Sequence, residues 1–441
     1  MHKITFLGAG STIFAKNVLG DCMLTDTFSE SEICLYDIDE KRLRESEQML
    51  TAINRHSNAG KAIIKCFLGI KNRKNALRGA TFVVNAIQVG GYDPCTIIDF
   101  EIPKKYGLRQ TIGDTLGIGG IMRALRTIPV MADFARDMEE VCPDAWFLNY
   151  TNPMSMLTGY MQRYTGVKTV GLCHSVQICT DGLLKSLQME DKLKNRKELI
   201  AGINHMGWLL QIRDSMGHDL YPEIRRRAEE KNKTEKHADM VRFEYIKQFG
   251  YYCTESSEHN AEYNPFFIKS KYPGLIERYN IPLDDYPRRC VEQIAHWKKQ
   301  SGDLISNPSL IHERTHEYAS YIMESIANNT PYKIGGNVIN NGGLISNLPY
   351  EACVEVPCLV DGMGIHPCYV GPLPNQLAAM NRTHINVHLM TIEAAVTLKK
   401  DAIYQAAMLE PHTAAELSLD DIIGMVDELI EAHGNYLPHY R

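Results

Sequence analysis

"KITFLGAGST", residues 3–12, decides the fold. A short apolar run stops at Gly8 and Gly10, and "STIFAKNVLGDCML" (11–24) continues with helical spacing. A buried strand that turns on glycines into a helix is how dinucleotide-binding units open. Gly8 permits the tight turn, and Gly10 lets a pyrophosphate approach the backbone. The helix start supplies unpaired N–H groups and a positive dipole end for phosphate oxygens. Ile13 stands where a third glycine would fall, so the competing reading is a tight β–α turn that holds nothing. Asp37 closes the next strand, "EICLYDID" (32–39), where a carboxylate can accept from a ribose hydroxyl and repel a 2′-phosphate. Candidate cofactor contacts are therefore Gly8, Ala9, Gly10, Ser11, Thr12 and Asp37, with Asn85 at a later strand end.

Outward from that opening, strand and helix signals alternate. "EKRLRESEQMLTAINRH" (40–56) is a charged amphipathic helix, and "ATFVVNAIQVGG" (80–91) reads as a buried strand that breaks at Gly90 and Gly91. Helix "GGIMRALRTIPVMADFARDMEEV" (119–141), strand "AWFLNY", helix "PMSMLTGYMQRY" and strand "KTVGLC" follow. Short apolar strands between such helices predict an α/β fold, a Rossmann-like doubly wound parallel sheet. Beyond residue 190 the alternation fades into strands at 198–214 and 332–367, helices over 221–330, and a helical tail from 373. We expect an NAD-binding domain over 1–190 and an α+β substrate, catalytic and oligomerisation domain over 191–441, packed tightly together.

At 441 residues, 44% hydrophobic and 23% charged, the composition is that of an ordinary soluble protein. A net charge of −6 argues against a broad nucleic-acid surface. No apolar run approaches a membrane span, and the first strand begins too early for a signal peptide. Twelve scattered cysteines with no C-x-x-C pair suit a reduced, cytoplasmic setting.

Chemistry-bearing residues gather at strand ends. Cys173 ends "KTVGLC", and His205 lies beyond the apolar run of "AGINHMGW". Such a pair can hold a divalent metal with open coordination positions, or it is a buried thiol and a satisfied core histidine. "RQTIGDTLGIGG" (109–120) carries Asp114, and "NYTNP" places Asn149 and Asn152 at a strand-to-helix junction where Asn152 can also act as a cap. "ESSEHNAEY" (255–263) concentrates Glu255, Glu258, His259, Glu262 and Tyr263, either as a catalytic cluster or as a solvated loop. Tyr318, in "HERTHEYASYI" (312–322), falls on an apolar helix side.

Taken in order, "KITFLGAGST", "GGYDP", "GDTLGIGGIMRALRTIP", "LNYTNPM", "GLCHSVQ", "GINHMGW", "ESSEHNAEYNP" and "VEVPCLVD" resemble glycoside hydrolase family 4, in its α-galactosidase branch. The resemblance runs to about residue 434. It implies a lactate/malate dehydrogenase-like fold, bound NAD and Mn2+, and a homodimer or homotetramer acting on α-galactosides of the melibiose or raffinose type. The NAD-dependent chemistry it implies departs from the two-carboxylate scheme of most glycosidases. The sugar is oxidised transiently at C3, loses its C2 proton, eliminates the aglycone, takes up water and regains its hydride.

By matching position, the resemblance makes Cys173 and His205 the metal ligands. It makes Asp114 an acid that strengthens the base, and Asn152 and Asn149 sugar contacts. His174 becomes the proton donor or a contact to the O6 region. The C2 base is Tyr318 or a member of the 255–263 cluster. Family alternatives are an α-glucosidase or α-galacturonidase. Outside the family stand a net 2-hydroxy-acid dehydrogenase, for which Arg123 or Arg126 would have to fork a carboxylate, and a non-catalytic dinucleotide sensor.

Overall fold

The computed structural model describes residues 1–307 and 309–441. Six parallel strands come first in the chain: β1 (Lys3–Leu7), β2 (Glu32–Asp37), β3 (Ile63–Leu68), β4 (Phe82–Asn85), β5 (Trp146–Asn149) and β6 (Lys168–Gly171). They lie in the order β3-β2-β1-β4-β5-β6, so the winding reverses between β1 and β4. Open α/β sheets bind ligands at that reversal, outside the carboxyl ends of the strands. The near-continuous apolar strands follow from burial on both faces. Ile4, Phe6, Val84, Leu148 and Val170 join one core cluster, while Leu7, Val83 and Phe147 join another with the helix Ile118–Val141.

Two details differ from the sequence reading. β4 stops at Asn85, and residues 86–90 form a loop instead of extending the strand to the glycines. The sequence reading also leaves β3 unassigned; it is an edge strand whose residues are exposed or half-buried, and Lys65 interrupts its apolar run.

The second half adds β7 (Lys197–Ile203), β8 (Met206–Arg213), β9 (Tyr252–Cys253), β10 (Tyr332–Ile339), β11 (Cys353–Asp361) and β12 (Gly364–Pro367). These extend the same sheet from β6 in the order β10-β11-β7-β8-β9, antiparallel throughout, with β12 on β11. The joints on either side of the β10–β11 ladder are narrow. β6 meets β10 at Asn337 opposite Gly171, and β11 meets β7 at Glu355 opposite Gly202. Asn337 Nδ2 ties both joints, donating to Gly171 O at 3.3 Å and to Glu355 Oε1 at 3.1 Å. Gly171 leaves no choice of residue, because a Cβ there would lie 2.6 Å from Met154 Sδ and from Thr158 Oγ1. β6 and β7 are thus held at a fixed spacing by two strands from much later in the chain.

The helical tail Leu419–His433 returns to the first half. Its His433 Nε2 lies 2.9 Å from Asp99 Oδ1, and Asp99 accepts two bonds from Arg126, at 2.7 and 3.2 Å. Arg126 also donates from Nε to Val89 O, in the loop after β4. Among the described residues, no helix is long and apolar enough to cross a membrane. Arg126 and Asp99 are 1% and 3% exposed, so removing the cation leaves a buried carboxylate uncompensated. Arg126→Met should cost about 3–5 kcal/mol of stability by urea denaturation.

Candidate active site

Three ligand-type side chains meet at the seam. Cys173 follows β6 and caps the helix His174–Ser186, His205 forms the turn between β7 and β8, and Glu255 follows β9. One ligand atom of each lies within 4.8 Å of the others. His205 Nε2 is 3.2 Å from Glu255 Oε2, while Nδ1 is 2.8 Å from the Tyr263 hydroxyl. His205 and Glu255 both adopt left-handed backbone conformations, with φ of 65° and 63°. Non-glycine residues there are strained, and such strain collects where geometry serves a function. The sequence reading anticipated the cysteine and histidine; it placed Glu255 in a polar cluster without giving it this partnership.

Burial holds the Cys173 thiol well above its usual range, and the Glu255 and Glu355 carboxylates add to that. Burial also lowers the pKa of His205, opposed by Glu255, and so favours the neutral imidazole that a metal needs. For Glu255, burial works upward, but His205, His259 and the Ser256 N–H outweigh it and bring the carboxyl down to about 2. A carboxylate and a neutral imidazole are ready ligands; the thiol must give up its proton as a cation binds.

A second row of polar groups continues from Glu255. His259 Nδ1 lies 3.5 Å from Glu255 Oε1 and 2.8 Å from Ser256 Oγ, and its Nε2 is 3.8 Å from Asp114 Oδ1. Asp114 in turn faces Arg123 at 3.9 Å. The glycines of "GDTLGIGG" make this possible. A Cβ on Gly119 or Gly120 would strike the Gly113 or Thr115 carbonyl oxygen, at 2.2 and 2.3 Å, so the loop could not fold back on its helix.

Cys173 also lines a cavity of about 260 Å³ with His174, Asn152, Arg123, Tyr150, Phe14 and residues 86–88. His174 Nε2 is 2.6 Å from Glu317 Oε2. Glu317 is brought there by a strap anchored on the first helix, where Asp21 accepts from His312 Nε2 at 2.7 Å and from Thr315 N at 2.8 Å. Asn152 borders the cavity and does not cap: Pro153 holds the cap position of the next helix, and Asn152 Oδ1 has no partner among the described residues. Asn149 and Asn85, in contrast, stay inside the strand junction. Asn85 Nδ2 donates to Asn149 Oδ1 and Thr151 Oγ1, and Asn149 Nδ2 donates to Thr151 O and Thr158 Oγ1. Both are 0% exposed, and Asn85 Oδ1 has no partner among the described residues. Tyr318 is equally buried, packed edge-on to the Tyr150 and His174 rings, and its hydroxyl meets no partner among the described residues.

The glycine turn lies beside this cavity. Gly8 has φ of 81°, and a Cβ would sit 2.7 Å from Ala86 O. Asp37 Oδ2 accepts the Gly10 N–H at 2.6 Å, so the acid at the end of β2 also fixes the turn. Thr12 Oγ1 bonds Gly10 O. Ser11 stands at the helix N-cap without a side-chain bond, leaving the first-turn N–H groups open to an anion. An uncapped helix start and a glycine cradle fit a pyrophosphate. Ile13, in the third-glycine position, is 43% exposed and is not pressed against the sheet.

Glu355 lies at the seam, 0% exposed, with Oε2 unpartnered among the described residues. Burial raises its carboxyl from 4.5 to about 7, despite the Asn337 bond. A carboxyl raised in the fold contributes stability below its unfolded value, and that contribution is lost as pH rises to the folded value. Relative to Glu355→Gln, the metal-free protein should therefore lose melting temperature from about pH 4.5 to about pH 7.

Both halves of the chain match a known family. The family 4 glycosyl hydrolase family matches residues 3–189, and the family 4 glycosyl hydrolase C-terminal domain matches residues 200–413. An α-galactosidase of Bacillus subtilis is 62% identical over 442 residues, covering 100% of both chains. An α-galactosidase of Rhizobium meliloti is 32% identical over 450 residues, covering 99% of this chain and 89% of its own. A 6-phospho-β-glucosidase of Thermotoga maritima, solved with manganese, NAD+ and glucose-6-phosphate, has the same fold. Its TM-score is 0.78 at 20% identity, covering 99% of this chain and 100% of that one. Matched along both halves and nearly end to end, the chain belongs to glycosyl hydrolase family 4.

Proposed function

We propose that the chain is an α-galactosidase that uses NAD and a divalent metal, with Mn2+ the best fit, to cleave small α-galactosides. One observation carries the reading: a thiol, an imidazole and a carboxylate from three separate segments meet, and the thiol also lines a cavity of about 260 Å³. The full-length likeness to the Bacillus subtilis α-galactosidase supports the choice of sugar. A thiolate and an imidazole alone suit zinc or iron, but the hard oxygen of Glu255 moves the set toward manganese.

In this reading residues 1–190 bind the dinucleotide and 191–441 complete the substrate site. Cys173, His205 and Glu255 hold the ion, while the turn Gly8–Thr12 and Asp37 hold the dinucleotide. When bound, the dinucleotide supplies a hydride acceptor restored within each turnover, and the ion supplies a Lewis acid for neighbouring sugar oxygens. Asn152 hydrogen-bonds the sugar. His174, steadied by Glu317, gives a proton to the departing glycosidic oxygen. Tyr263 takes the proton from C2, a role supported by its contact with His205; burial first, then Asp114, Glu262 and Glu255, hold its hydroxyl well above the usual range, so its phenolate, once formed, is a strong base. Tyr318 is the lesser candidate because it packs behind the Tyr150 and His174 rings. Twelve unpaired cysteines and the need for NAD suit a cytoplasmic enzyme. Self-association as a dimer or tetramer belongs to the same reading, and sedimentation tests it.

Assaying aryl α-galactoside, α-glucoside and α-galacturonide side by side, with NAD and Mn2+ present, tests the activity. The galactoside should be cleaved fastest, with no accumulation of NADH. Faster release from either other sugar moves the assignment to that branch, and stoichiometric NADH moves it to a dehydrogenase. Cys173→Ser should lose metal binding and nearly all turnover while keeping its circular dichroism spectrum; a fully active variant refutes the ligand role.

A further inference from the structure

One buried carboxylate stands outside these assignments and touches both halves of the base machinery. Glu262, 3% exposed, belongs to the short helix Ser257–Tyr263 and immediately precedes Tyr263. It faces the backbone of the loop that carries Asp114. Its Oε2 accepts from Thr111 N at 2.7 Å and Ile112 N at 3.2 Å, and its Oε1 accepts from Gly113 N at 2.8 Å. Three consecutive N–H groups thus converge on one side chain, and the next residue in the loop is Asp114. The Thr111 hydroxyl reinforces the join by donating to Glu258 O at 2.7 Å.

We propose that Glu262 is a positioning residue for proton abstraction at C2, locking the loop that bears Asp114 to the helix that bears Tyr263. The inference rests on the assignment of Tyr263 and Asp114 made above. Asp114 has few other anchors: Thr115 Oγ1 at 2.8 Å is a neighbour in the same loop, while Arg123 and His259 stand 3.9 and 3.8 Å away. Without the clamp, the acid loses its fixed distance to the tyrosine, although both side chains remain. Glutamine cannot replace glutamate here. Whichever way its amide turns, an NH2 group meets a backbone N–H, and a donor facing a donor is unpaired and buried.

The far side of the loop should preserve the fold in such a variant. Asp284 N donates to Gln110 O at 2.9 Å, and Tyr286 N donates to Thr111 O at 3.0 Å, independently of Glu262. Glu262→Gln is the primary test and Glu262→Asp, which keeps the charge on a shorter arm, is the second. Both are studied as full-length protein loaded with NAD and Mn2+. Amide hydrogen exchange at Thr111, Ile112 and Gly113 should accelerate, while Kd for NAD and for Mn2+ is unchanged. Turnover of aryl α-galactoside should fall about 10- to 100-fold, the usual cost of a misplaced reacting group. The kinetic isotope effect from deuterium at C2 should grow and that from deuterium at C3 should shrink, because only C2 deprotonation has been slowed.

Amides that exchange no faster than in the parent overturn the proposal whatever the kinetics. Faster exchange with unchanged C2 and C3 isotope effects overturns it as well, since that outcome is general loosening. If Glu262→Gln does not fold, the same readings on Glu262→Asp decide. A parent enzyme that shows no C2 effect at all counts against the proton-abstraction assignment itself, and the inference falls with it.

Discussion

The site depends on a spacing between two strands that never touch. β6 delivers Cys173 and β7 delivers His205, and the distance between them is set by β10 and β11 inserted between. Asn337 and Glu355 form the narrow joints on either side of that insertion, and a single amide nitrogen of Asn337 serves both. Glycine at 171 lets the strands close to bonding distance. The thiol and the imidazole are therefore brought together by backbone pairing at Gly171 and Gly202, just before each of them.

Electrostatics then sort the roles. Glu255 is kept ionised by two imidazoles and a backbone N–H in a place where burial alone would protonate it. Burial lowers the His205 pKa, and Glu255 opposes that shift. The thiol is the group furthest from its metal-binding form, so its proton is released only against a real cation. On the cavity side, His174 is the imidazole with a carboxylate partner, Glu317, held by a strap tied to the first helix through Asp21. The helix that opens at the glycine turn thereby also steadies His174.

Much of the first half is legible in the sequence because local patterns settle it. Apolar strands, glycine turns and amphipathic helices alternate at spacings that a doubly wound sheet requires. β3 escapes because Lys65 splits its apolar residues into two short pieces. Cys173 and His205 are recognisable as candidates at strand ends, but their meeting depends on strands more than a hundred residues later in the chain. Glu255 is harder still: its side chain reaches the cluster through a left-handed backbone, which no residue type other than glycine advertises. Asn149 and Asn85 are harder to read, because amides at strand ends can serve a ligand or one another, and Asn85 Nδ2 bonds Asn149 Oδ1.

A sheet that runs from β3 to β9 joins the two halves of the chain in a single frame. Enzymes built from separable lobes admit substrate by swinging them apart; here Cys173, His205 and Glu255 stand on one continuous frame and not on facing lobes.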